Sequence, residues 1–140
     1  MDSKTRLADE WQTLQNNHEQ YEQSALLIKL TSLILCVLGI AAHVPAAWLG
    51  ITVALCWLQE GIYKTYQARL AERLLSVELQ LRQSEPTTQA MQLYSAWAAN
   101  RPGGFALIAG YAASACRPTV AFPYLPILLL GGLAELLPWT

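Results

Sequence analysis

Charge is scarce in this chain. Asp, Glu, Lys and Arg make up 14% of its 140 residues, against the ~25% usual in soluble domains, and a surface so poor in charge does not stay dispersed in water. The net charge of -1 supplies no basic field, so nucleic acid is not an expected partner. Cysteine is equally sparse. Cys36, Cys56 and Cys116 stand apart with no CxxC or Cys/His cluster, which excludes a zinc site or a disulfide framework and leaves them as small apolar residues. Catalytic patterns are missing as well. There is no Ser/His/Asp arrangement, HExxH, pair of intramembrane carboxylates, Walker loop or GxGxxG, so hydrolytic and nucleotide chemistry lack their groups. An enzyme, a cofactor or a bound metal is not expected.

What is present is apolar surface, with 54% hydrophobic residues. Two runs dominate: Ala25 to Val44, ALLIKLTSLILCVLGIAAHV, and Ala46 to Tyr63, AAWLGITVALCWLQEGIY, separated by Pro45. Each approaches the ~20 residues needed to cross ~30 Å of hydrocarbon as a helix. One residue between them forces an antiparallel hairpin, and both arms must be helical because lipid offers no water to exposed backbone groups. The polar first 24 residues do not fit a cleavable signal peptide, whose apolar core follows a short basic start. The first apolar run is therefore expected to be both membrane signal and anchor.

All nine Lys and Arg lie outside the Val44 to Trp48 turn, so the positive-inside rule puts the flanks in the cytoplasm and the turn outside. Trp48 suits an outer aromatic belt, Tyr63 and Tyr66 an inner one. Both arms continue as helices into the cytoplasm. Leu7, Trp11, Leu14, His18, Tyr21, Ala25 and Ile28 keep the four-three spacing of a coiled-coil seam, as do Tyr63, Gln67, Leu70, Leu74, Val77 and Leu81, with Arg69, Glu72 and Arg73 among the charges between them. Ser84, Glu85 and Pro86 break the pattern, and a third helix is expected from Thr87 to Ala99, folded back on the other two as a cytosolic three-helix bundle.

The fold class is thus an all-α membrane protein in four parts. Residues 1–24 form a cytosolic amphipathic helix; 25–63 form the transmembrane hairpin, with spans 25–44 and 46–63; 64–102 form cytosolic helices packing on 1–24; and 103–140 form an apolar membrane-associated region. Within the last part, 103–116 is interfacial or re-entrant, and 119–139 is a third crossing, kinked by Pro123, Pro126 and Gly131-Gly132. With no Lys or Arg after Arg117 the C-terminus is expected outside. A re-entrant hairpin, ending inside, is the alternative.

Ionisable groups within apolar runs are functional candidates by default. Lys29 lies 16 residues before Pro45 and Glu60 lies 15 after it, which sets them at nearly one depth as an ion pair. A register-fixing role is favoured over a proton or ion path. His18 and His43 stand alone and read as packing residues. Ala106, Gly110 and Ser114 form a small-xxx-small stripe suited to close helix approach. Arg117 is expected at the inner membrane boundary, within reach of lipid phosphate.

The layout of residues 3 to 84, a two-helix hairpin with long cytosolic extensions, is similar to that of SLATT-type effectors of bacterial conflict systems. That resemblance implies a self-assembling membrane effector or pore. The apolar tail departs from its two-span plan. The reading the residues favour is a small integral membrane accessory or scaffold protein of the cell membrane, presenting a cytosolic helical bundle for protein-protein interaction or assembly. Its expected partners are the lipid bilayer and either another membrane protein or further copies of itself; a small transporter subunit is a further alternative.

Overall fold

The computed structural model describes residues 3–83, 90–100 and 103–136. Among them all regular structure is helical: α1 Ser3–Ala41, α2 Ala46–Leu81, α3 Leu93–Ala99, α4 Gly104–Ala115, α5 Pro118–Ala121 and α6 Tyr124–Leu136. The expected break at Ser84, Glu85 and Pro86, the first residues of the expected third helix, Arg101, Pro102 and the last residues of the third crossing lie outside the described residues.

Two long helices, of 39 and 36 residues, organise the molecule. Arg73 meets Glu10, Gln67 reaches the His18 carbonyl, Glu60 meets Lys29, and Leu49 lies against Gly39. Positions on one helix rise as those on the other fall, so the pair is antiparallel. The turn between them has a chemical cause. Val44 N–H donates to the Gly39 carbonyl and His43 N–H to that of Ile40, the two bonds of a Schellman motif, with His43 in the left-handed region at φ 56°. Pro45 then leads into α2, where its missing donor costs nothing.

The interface between the long helices changes character along its length. At the end formed by residues 3–24 and 64–83 the centre is Leu7, Leu14, Leu70 and Val77, flanked by Tyr21, Leu74 and Leu81. At the turn end α1 instead presents Ala25, Ser32 and Gly39, seven residues apart and all buried. Small side chains at that spacing let α2 approach closely. The outer surface inverts in step. Leu26, Leu30, Ile34, Val37 and Leu38 on α1, and Trp48, Ile51 and Leu55 on α2, are exposed, where the other end shows Lys4, Asp9, Gln12, Glu19 and Glu72 outward. Leu75 and Leu79 are apolar exceptions at that polar end.

Three expectations need adjusting. The third helix starts at Leu93, six residues after the expected Thr87, because Met91 takes a left-handed conformation at φ 64° and Ala90 to Gln92 are not helical. In the seam, Glu10 is buried while Trp11 is 38% exposed, since Glu10 faces Arg73. Arg73 itself is buried in the interface where a flanking charge was expected. The tail is divided into α4, α5 and α6, with its break at Phe122-Pro123. Pro126 and Gly131-Gly132 sit inside α6; Pro126 is in the first turn, where no intrahelical N–H bond is forfeited. As described, α6 has 13 residues, ~20 Å at helical rise.

α4 and α6 both run antiparallel to α2. Ser114 lies beside Thr65 and Ala115 beside Gly61 and Trp57; further along, Tyr124 lies beside Glu60 and Leu128 beside Gly50. Among the described residues one helix, the N-terminal α1, is long and apolar enough to cross a membrane; α4 and α6 are apolar but shorter. The apolar stretch of α2 is interrupted by Gln59 and Glu60 and does not reach the same apolarity.

Candidate functional site

Four helices converge on one carboxylate. Glu60, on α2, is fully buried, and Lys29 of α1 sets its Nζ 3.0 Å from Glu60 Oε1. The Tyr124 hydroxyl of α6, also fully buried, donates to Glu60 Oε2 at 2.9 Å. Lys29 Nζ donates in addition to the carbonyl of Thr119, in α5, at 2.6 Å. That carbonyl has no partner within so short a helix, so the ammonium satisfies it. A buried carboxylate is costly unless paired and hydrogen-bonded; here a cation and a phenol supply both. The Lys29 side chain keeps 23% of its surface exposed, so the site opens on one side.

A polar seam beside it seats α4. Trp57 Nε1 donates to the Ala115 carbonyl at 2.9 Å, and Thr65 Oγ1 lies 2.9 Å from Ser114 Oγ. Between them Gly61 allows the close approach: a Cβ there would stand 3.0 Å from Ala115 Cβ and 3.3 Å from its Cα. Trp57, Gly61 and Thr65 are four residues apart, one face of α2.

Of the small-residue stripe, Ser114 is buried in this seam, Ala106 is exposed, and a Cβ built on Gly110 would meet nothing within 4 Å. Arg117 is exposed and precedes α5; its carbonyl accepts from the N–H groups of Val120 and Ala121. His18 contributes its backbone carbonyl to Gln67, and His43 shapes the turn. Cys36 and Cys56 are free and half-buried, Cys116 free and exposed.

A second buried ion pair lies in the other half. Arg73 Nε donates to Glu10 Oε1 at 2.8 Å and Nη2 to Oε2 at 3.2 Å, a two-pronged pairing, and Met91 N–H donates to Glu10 Oε2 at 2.7 Å. Glu10 thereby ties the segment before α3 to the long helices. Arg69 lies over the rings of Tyr66 and Trp97, 5.0 and 5.1 Å from their centroids, and holds α3 from its other side. Tyr21 packs against Tyr63 and Tyr66 with ring centroids 5.7 and 6.3 Å apart. A hydrogen bond with Tyr111 pushes the Tyr66 phenol above its ordinary range.

Sequence reasoning missed Glu10, Tyr124 and Thr119. Glu10 had a signal, since the seam can pass through position 10 as well as 11. Thr119 acts through its backbone, which no side-chain pattern reveals. Among the described residues no three His, Cys, Asp or Glu side chains are grouped to hold a metal ion. No protein-family model, curated protein or solved structure matches the chain. The fold and the site define an all-α protein whose two long helices are joined by two ion pairs, each with a buried carboxylate.

Proposed function

We propose that this chain is a multi-pass membrane accessory or scaffold protein, with α1 and α2 crossing the cell membrane as a hairpin and their polar ends forming a cytosolic stalk for assembly. One observation carries the reading: the inversion of polarity along a single pair of helices. At one end Leu7, Leu14, Leu70 and Val77 are buried beside the paired Glu10 and Arg73, and most outward residues are polar; at the other, Glu60, Ser32 and Lys29 turn inward while leucines, isoleucines and valines face out. An apolar solvent makes the second arrangement favourable. From Leu26 to Ala41, where α1 ends, the outward apolar band covers ~24 Å of helix, most of the ~30 Å of bilayer hydrocarbon. Tyr21, Tyr63 and Tyr66 ring the boundary where the character changes, as amphipathic aromatics do at the headgroup level.

In this arrangement the N-terminus is cytoplasmic, the 44–48 turn is outside, and α6 descends beside α2 toward the outer face as part of a third crossing. The stalk presents Leu75, Leu79 and Trp11 outward, apolar side chains in an aqueous setting that suit a helical partner. Alkaline carbonate extraction of cell membranes tests the anchor: the protein stays in the pellet, and release into the supernatant overturns the reading. Affinity purification followed by native mass spectrometry tests the assembly role. A stoichiometric complex with another membrane protein is expected. Copies of this chain alone would redirect the reading to a self-assembling membrane effector, and a lone monomer would overturn both.

A further inference from the structure

Where the polarity inverts, α1 and α2 enclose a cleft of about 230 Å³ beside the ion pair of Lys29 and Glu60. Glu22 and Lys64 stand at its polar side, and Ala25 and Leu26 at its apolar side. An ammonium carries three N–H donors. Lys29 uses one, toward the Thr119 carbonyl, and meets Glu60 as an ion pair at 3.0 Å, and Lys64 uses one, toward Gln67 Oε1 at 2.8 Å. Both therefore keep donors unused by the described residues. Glu22 is exposed and forms no hydrogen bond or ion pair with any described residue. Glu60, fully buried, lines the same cleft, and its Oε1 accepts no hydrogen bond, only the charge of Lys29.

We propose that this cleft seats the headgroup of a cytosolic-leaflet phospholipid carrying both a phosphate and a primary ammonium. The phosphate takes the spare donors of Lys64 and Lys29, charge-assisted bonds of the strong kind. The headgroup ammonium takes the Glu22 carboxylate. Leu26 and Ala25 lie where the first acyl carbons emerge. The cleft carries two positive and two negative side chains, so a zwitterion fits it better than an anion, which would leave Glu22 facing like charge. A trimethylated ammonium has no N–H for Glu22 and fits less well. The proposal rests on the membrane reading above and deepens it.

The test uses the full chain, purified in detergent and offered equimolar phosphatidylethanolamine, phosphatidylglycerol and phosphatidylcholine in mixed micelles, with bound lipid counted by native mass spectrometry. One phosphatidylethanolamine is retained per chain, at least about fivefold over either competitor, a ratio within the reach of one hydrogen bond. Lys64→Gln lowers retention of every lipid, while Glu22→Gln removes the preference for phosphatidylethanolamine and leaves phosphatidylglycerol retained. Both positions are partly or fully exposed, and unchanged circular dichroism verifies that the variants fold. Soluble phosphoethanolamine does not compete, because it lacks the acyl carbons; competition at equal concentration would transfer the site to a free phosphate ester. Equal retention of the three lipids, or variants with unaltered selectivity, overturns the proposal. Failure of the membrane reading is separate, seen as release of the protein by carbonate.

Discussion

Lys29 and Glu60 illustrate how unequal the two members of an ion pair are. Lys29→Met leaves a fully buried carboxylate with no counter-charge beside it and the Tyr124 hydroxyl as its remaining partner, a loss of about 3 kcal/mol. Glu60→Gln leaves an ammonium that still donates to the Thr119 carbonyl and extends to water or phosphate, at about 1 kcal/mol. The double variant is less destabilised than the sum of the two, and additive losses in reversible unfolding would sink the pairing. His43 makes a complementary case. Its left-handed backbone costs a residue with a Cβ about 1 kcal/mol, so His43→Gly is neutral or stabilising by up to that amount, where Gly at most other turn positions costs stability. A drop in the unfolding midpoint would contradict the Schellman assignment.

Among the elements, the two close-approach glycines differ in what opposes a Cβ. At Gly39 the obstacle is the end of the Leu49 side chain, which can turn away; at Gly61 it is the backbone and Cβ of Ala115. Replacing glycine by alanine within a helix favours folding by ~1 kcal/mol. Gly39→Ala should therefore be close to neutral, while Gly61→Ala loses about 1–3 kcal/mol through overpacking and detaches α4 from Trp57 and Thr65. Hydrogen exchange resolves the outcome: faster exchange in residues 104–115 for Gly61→Ala, with α1 unaffected. The tie between Glu10 and Met91 works at the same level. Met91→Pro removes the donor and cannot take a positive φ, so exchange in α3 should rise while Glu10 and Arg73 keep the long helices joined.

For the whole molecule the native cysteines report topology. Cys116 is exposed, beside the level of Gly61 through its neighbour Ala115, whereas Cys36 and Cys56 are half-buried in the apolar half. In the proposed orientation, with the N-terminus cytoplasmic, a membrane-impermeant maleimide should label Cys116 in inside-out vesicles and leave it unlabelled on intact cells. Labelling on intact cells would reverse the orientation.

The helical class and the lengths of α1 and α2 were legible in the chain, because apolar runs of ~20 residues and three-four spacing are properties of consecutive positions. The approach of Lys29 to Glu60 followed from counting outward from Pro45, since a one-residue connection leaves the register little freedom. Tertiary structure decided what depends on separate segments meeting. Tyr124 joins Glu60 across 64 positions and Met91 joins Glu10 across 81, and neither partner carries a local mark of its destination. The choice of Glu10 over Trp11 for the seam belongs here too: both positions suit the helical period, and the guanidinium opposite decided between them. Local sequence fixes which face a helix offers, but only packing fixes what meets that face.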